Sequence, residues 1–255
     1  MQFLQDKDFW NFVEHGTDTF RIFISKGALV ERMGDGSIIS YFLESDLETA
    51  LRCLDKWTRR IHWTPQWVLA RQRIKQPKHW KAPFFVQGKG FSPIQIVHEN
   101  GLKYEIIFST GHSGLFCDQR SNRLHLMQLK PKNLLNCFAY TCAFSVAAAS
   151  TGSQTVNIDL AKRPLTRGRR NFNLNNIALN GRHRFLVEDV FSMLPKFARR
   201  GEKFHCIILE IRLLSPSQSV IPIFKCNMIS RVYSKFRLHV SRQRDMSCFP
   251  PTVSR

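Results

Sequence analysis

The chain has 255 residues, enough to bury a substantial core and to hold one or two domains. Its net charge of +19 points to a polyanionic partner, most simply nucleic acid. Three features are absent: an apolar run near the roughly 18–20 residues of a membrane helix, a signal-peptide pattern at Met1–Asp6, and any Cys-x-x-Cys pair among the seven cysteines. The reading is therefore a cytoplasmic protein with no membrane partner and no metal site, whose cysteines are reduced, buried thiols.

The first half reads as strands at residues 21–25, 28–32 and 37–42, the last two joined by the turn Gly34-Asp35-Gly36. Ser45-Asp46-Leu47-Glu48 has the form of a capping box and predicts a helix to about Arg60, with Leu47, Ala50, Leu51 and Leu54 on one face. A short strand at 67–70 is followed by a basic, proline-containing stretch, 71–83, read as a loop. Segments 93–98 and 102–108 flank Glu99-Asn100-Gly101, a strong hairpin signal. The second half alternates: helix 118–128, strand 133–138, helix 143–150, strand 155–159, a helix to about Asn175, strand 184–187, helix 192–199 and strand 205–209. Such alternation implies a parallel sheet with right-handed crossovers. Three units are expected: a small α/β module over 1–92, a Rossmann-like domain with its hairpin over 93–210, and a basic tail over 211–255. The tail carries eight Lys or Arg and one acid, Asp245, so the first 210 residues still keep +12.

The informative stretch is Asn136-Cys137-Phe138-Ala139-Tyr140-Thr141-Cys142-Ala143-Phe144-Ser145, followed by Val156-Asn157-Ile158-Asp159-Leu160. A hydrophobic run ends in a tight turn of small residues, a helix starts, and the next run ends in an acid about 20 positions on. Open parallel sheets bind ligands at such carboxyl ends. Asp159 can accept both ribose hydroxyls of an adenosine, and the acids Glu188-Asp189 at the end of the third strand can accept an adenine amino group. No Gly-x-Gly-x-x-Gly follows the first strand, so S-adenosylmethionine is favoured over NAD.

The chain resembles the class I S-adenosylmethionine-dependent methyltransferases that modify large-subunit ribosomal RNA, notably the cytosine-C5 group. The resemblance spans about residues 95–210. It rests on Glu99-Asn100-Gly101, on Thr110-Gly111-His112-Ser113-Gly114-Leu115-Phe116-Cys117-Asp118-Gln119-Arg120 with Asn122 and Arg123, on the turn and Ala143–Ala148, on Val156–Leu160, on Asn171-Phe172 with Asn175, and on Glu188-Asp189-Val190-Phe191. It implies that Phe138, Tyr140, Thr141 and Ala143 wrap the methionine part of the cofactor, with Cys142 in the same turn. Asp159, followed by Leu160, would hold the ribose, and Asp189, followed by Val190, the adenine. Asp118 and Arg120 would lie over the cofactor, while His112 reads as a loop residue rather than a catalyst.

Two departures from the family stand out. Cys142 replaces a glycine, so a Cβ is expected to crowd the cofactor. After Cys206-Ile207-Ile208-Leu209, where the family has Asp-Pro-Pro-Thr-Phe, the chain reads Glu210-Ile211-Arg212-Leu213-Leu214-Ser215-Pro216. One permitted coding of that segment, GAG ATC CGC CTA CTT TCT CC, gives Asp-Pro-Pro-Thr-Phe-Ser when read from the last G of the first codon. A frame shift near Glu210 is therefore expected, with 211–255 out of frame, the later sheet strands missing and strand 205–209 left as an unpaired edge, where Val220–Phe224 and Phe236–Val240 are the segments able to pair by chance, Pro222 counting against the first. The functional reading is a methyltransferase acting on a ribosomal RNA base. A non-catalytic remnant that binds S-adenosylmethionine or RNA, and a plain RNA-binding protein using the basic segments 71–81 and 163–170, are the alternatives.

Overall fold

The computed structural model describes residues 2–73, 84–108, 113–209 and the short strand 223–224. The first part is a six-stranded sheet in the order β1 (Gln2–Phe3), β2 (Thr19–Ile24), β3 (Ala28–Met33), β4 (Gly36–Tyr41), β5 (Trp67–Gln72) and β6 (Phe84–Gly88). All neighbours are antiparallel except β4 and β5, which are parallel. A parallel pair needs a crossover, and α2 (Glu44–Ile61) supplies it. Ala50, Leu54, Trp57 and Ile61 form its buried stripe at 3–4-residue spacing, with Leu47 partly buried against it and Phe9 of α1 (Asp6–Glu14) in the same cluster. Leu51, expected in that stripe, falls on the exposed side. The helix also starts two residues earlier than the expected box implies. Leu43 is the N-cap, and its N–H donates to the Asp46 carboxylate at 3.0 Å, which leaves Ser45 inside the first turn.

The hairpin β7 (Ile94–Glu99) and β8 (Leu102–Ile107) turns at Asn100 (φ 51°) and Gly101 (φ 75°), as an Asn-Gly pair should. It ties the two halves together. Its turn bonds to the first half through Asn100 N–H to Thr17 Oγ1 (2.8 Å) and His98 to Asp18 (2.6 and 2.7 Å). On the other side, Asn171 and Asn175 satisfy the outer edge of β8: the Glu105 and Lys103 N–H groups donate to their Oδ1 atoms.

After one 3-10 turn (Cys117–Gln119) and α3 (Arg120–Leu129), the second half forms a sheet in the order β11 (His183–Val187), β10 (Gln154–Asp159), β9 (Asn133–Cys137), β12 (Cys206–Leu209), β13 (Ile223–Phe224). Strands β9 to β12 are parallel, as expected. The helices α4 (Ala143–Ala149) and α5 (Lys162–Leu174) pack on one face and α6 (Val190–Arg199) on the other. The outer edge of β12 is not bare. The two residues of β13 pair with it, antiparallel, at Ile207–Phe224 and Ile208–Ile223. The rest of the tail, with Glu210 and the frame-shift segment, lies outside the described residues, as do Thr110, Gly111 and His112 and the basic segment from 74 to 83. No helix among the described residues is long and apolar enough to cross a membrane.

Candidate functional site at the strand tips

The chain runs from β9 to β11 in one direction and then returns across β9 to β12, so the topology switches beside β9. Crevices at such points open at the carboxyl ends of the strands. The turn after β9 occupies this place, and it is strained. Phe138, Tyr140 and Cys142 all have positive φ (57°, 48° and 60°) although none is glycine. Each such residue costs about 1–2 kcal/mol. Strain of this kind persists only where surrounding bonds impose it, and it concentrates at ligand sites.

Those bonds can be named. The Tyr140 N–H donates to Asp159 Oδ2 at 2.8 Å, and the Ala161 N–H to Oδ1 at 2.8 Å. Ala139 N–H reaches Ile158 O at 2.9 Å. From behind, the Thr141 hydroxyl donates to Gly114 O, and the buried Asn171 amide donates to Thr141 O at 3.0 Å. Asp159 thus joins the tips of β9 and β10. Each of its oxygens takes one N–H of the protein and keeps a second lone pair for a ligand.

At the tip of β11, Asp189 caps α6: its Oδ2 accepts the Ser192 N–H (2.8 Å) and hydroxyl (2.9 Å). Large apolar side chains stand exposed around the two acids, namely Leu160, Val187 and Phe191. Phe191 meets the Phe138 ring at 6.0 Å, and Phe116 lies 5.4 Å from the Tyr140 ring on the opposite flank. The tips therefore combine carboxylates with an apolar, aromatic wall, the mixture that an adenosine needs. Val187, Phe191 and Phe116 were not picked out from the sequence as wall residues. Their signal was an apolar side chain on each side of Glu188-Asp189 and just before Cys117, where strand tips turn to solvent.

The structure gathers Phe138, Tyr140, Thr141, Cys142, Ala143, Asp159, Leu160, Asp189 and Val190 at the three adjacent tips, but not with equal access. Thr141, Cys142 and Val190 are buried, Val190 within the α6 core. Asp118 is exposed and lies within Coulombic reach of Glu31 on β3. The Arg120 guanidinium covers the Phe12 ring of α1 at 3.3 Å, and desolvation lowers its pKa. The Arg120 side chain thus engages the first half of the molecule.

The Cys142 thiol does not point at the crevice. It packs in the core beside Gly168 of α5, where an added Cβ would come within 2.5 Å of Sγ. The Cys142 side chain therefore fills the space against α5 that a side chain at 168 would need. Gly168→Ala is expected to cost about 1–3 kcal/mol through overpacking, and in a Cys142→Gly background to become neutral or stabilising by up to about 1 kcal/mol, the ordinary Gly-to-Ala gain in a helix. Urea unfolding of the four chains of this double-mutant cycle measures the coupling. Burial pushes the thiols of Cys117, Cys137 and Cys142 far up and that of Cys206 to about 11. Cys53 is raised too, again by burial first. None of these five is a ready thiolate near neutral pH.

The strand order, the strained turn and the acids at successive tips define a Rossmann-like fold of the methyltransferase type. Residues 31–221 match the S-adenosylmethionine-dependent methyltransferase family, and the chain belongs to it. Ribosomal RNA large subunit methyltransferase I of Aeromonas salmonicida is 36% identical over 118 residues, 45% of this chain and 30% of that protein. The protein of the same name in an Enterobacter species is 38% identical over 117 residues, again 45% of this chain and 29% of that one. The chain thus matches under a third of the length of these curated relatives. Among solved structures, a provisionally named methyltransferase complexed with SAH superposes with a TM-score of 0.69 at 25% identity, covering 90% of this chain and 59% of the other. A provisionally named S-adenosylmethionine-dependent methyltransferase from Streptococcus mutans gives 0.66 at 25% identity, covering 83% and 57%.

Proposed function

We propose that the chain binds S-adenosylmethionine at the tips of β9, β10 and β11 and serves methyl transfer to a base of ribosomal RNA, with cytosine C5 as the target atom. The observation that carries this reading is the Asp159 carboxylate, which bridges the tips of β9 and β10 through Tyr140 and Ala161 while retaining acceptor capacity. The donor set fits the cofactor. Asp159 would take the ribose hydroxyls and Asp189 the adenine amino group. Leu160, Val187 and Phe191 would enclose the adenine, and the Phe138–Cys142 turn would face the methionine part. Bound there, S-adenosylmethionine supplies an electrophilic methyl group for in-line displacement. The residues around it orient it and exclude water.

The names of the relatives and the net charge of +19 support an RNA substrate. A base within a duplex must be exposed before it can react. Methylation at cytosine C5 also calls for a thiolate that adds to the ring. Cys117, Cys137, Cys142 and Cys206 are buried in the core and Cys53 lies on α2, away from the strand tips, so none of these five is assigned that role. We further take residues 1–92 as a small α/β module, 93–210 as the cofactor domain and 211–255 as out-of-frame sequence, for which the downstream DNA should encode Asp-Pro-Pro-Thr-Phe in the shifted frame.

The test is transfer of tritiated methyl groups from S-adenosylmethionine to undermethylated large-subunit ribosomal RNA. Label in a cytosine supports the full reading. Cofactor binding without label favours the non-catalytic remnant instead, and neither binding nor label contradicts both.

A further inference from the structure

The two faces of the six-stranded sheet differ in chemistry. Toward α1 and α2 it presents Phe20, Ile22, Val30, Ile39 and Ala70. The opposite face begins apolar, with Met33, Ile38, Trp67 and Leu69 in the core shared with the hairpin. Farther along the strands it turns charged. Arg21 on β2 stands directly across from Glu31 on β3. Arg71 on β5 stands across from Ser40 on β4 and donates to its hydroxyl from Nε at 3.0 Å. Arg73 follows, exposed, just past the end of β5.

Glu31 is the buried centre of this row. Burial pushes its carboxyl up, the Arg21, Arg71 and Arg73 charges pull it back, and Asp118 adds to the rise, so all four groups lie within its electrostatic reach. One feature of the row points to a missing partner. The Arg21 Nε is buried and has no acceptor among the described residues, an expensive state for a guanidinium N–H. Arg21 also lines an open groove of about 330 Å³ at the β1–β2 edge, together with Gln2, Gln5, Lys7 and the acid Asp8. The segment that carries Asp118 also carries Phe116, whose ring lies 5.4 Å from Tyr140.

We propose that Arg21, Arg71 and Arg73 form a track for the sugar–phosphate backbone of the RNA that enters the crevice. The proposal rests on the RNA reading of the substrate. Guanidiniums held in a fixed fork match phosphate oxygens, and backbone contacts of this kind set position without reading sequence. Ser40 holds the Arg71 fork, and the buried Glu31 carboxyl lies across the strand pair from Arg21.

The test is fluorescence anisotropy of the full chain with a fluorescein-labelled RNA hairpin carrying a loop cytosine, titrated over a range of salt. Arg21→Ala and Arg73→Ala are each expected to weaken binding roughly tenfold and to reduce the slope of log affinity against log salt by about one. Arg52→Ala and Arg59→Ala, on the exposed face of α2, should change neither. Calorimetry with S-adenosylmethionine should give wild-type affinity for all four variants, which shows that they are folded. Wild-type RNA binding and salt slope in both track variants would overturn the track and leave the RNA reading standing. No RNA binding by the unmodified chain would overturn both.

Discussion

Asp159→Ala should lower the affinity for S-adenosylmethionine by about two to four orders of magnitude. The carboxylate is assigned two charge-assisted hydrogen bonds to the ribose, each worth about 1.5–3 kcal/mol, and every 1.4 kcal/mol is about a factor of ten. The same oxygens hold the Tyr140 and Ala161 N–H groups at 2.8 Å. Their loss frees a turn that carries three non-glycine residues at positive φ, so part of the affinity is lost because the turn is no longer preorganised. The folded state should also lose about 1–3 kcal/mol. Asp159→Asn keeps the shape and one acceptor and should fall between. Calorimetry, at a temperature where thermal unfolding shows both variants folded, separates affinity from stability. Affinity unchanged in Asp159→Ala would remove Asp159 from the site.

Arg123→Met should be the most destabilising single substitution proposed here, at about 3–5 kcal/mol. Arg123 and Glu99 are 2% and 1% exposed, and their side chains meet at 2.6 and 2.7 Å. The guanidinium also donates to Phe116 O at 2.7 Å. Burial alone would lower its pKa, but the Glu99 charge and hydrogen bonds more than reverse this and hold it above the ordinary arginine range. Removing the cation strands a buried carboxylate, whereas replacing both partners by apolar residues removes that penalty. Arg123→Met with Glu99→Leu should therefore recover most of the loss in denaturant unfolding. Because Arg123 fixes the Phe116 backbone and Phe116 borders Tyr140, the single variant should also weaken cofactor binding. A loss below about 1 kcal/mol in the single variant would mean that the pair contributes little net stability.

The second half of the fold was legible because each parallel strand is a short apolar run ended by a turn or an acid. Strands β9 to β12 and helices α4 to α6 lie within a few residues of their expected places. The first half was read less completely. Helix α1 has Phe9 and Phe12 inward but Trp10 and Val13 exposed, so its apolar pattern does not separate one face from the other. Strand β6 follows a basic stretch, and the three apolar residues Phe84, Phe85 and Val86 gave too short a run to stand out. Leu51 was placed inward and is exposed, because the stripe runs through Trp57 and Ile61 instead.

At the site, the types of residue were legible and their directions were not. Asp159 and Tyr140 are assigned to the ligand by position alone, yet their mutual bond shows only in three dimensions. Cys142 was expected to face the cofactor. Its positive φ is that of a glycine position, but the side chain turns toward Gly168, a contact across 26 residues of sequence that no local pattern reveals. Arg120 was assigned to the cofactor by motif, and its guanidinium lies on Phe12, a residue outside that motif.

A crystal structure of the chain grown with SAH tests the central claim most directly. The adenosine is predicted between Asp159 and Asp189, its ribose hydroxyls on the Asp159 carboxylate and its base against Leu160, Val187 and Phe191. Density for the ligand elsewhere, or a strand-tip crevice closed over Asp159 with no ligand in it, would contradict the assignment.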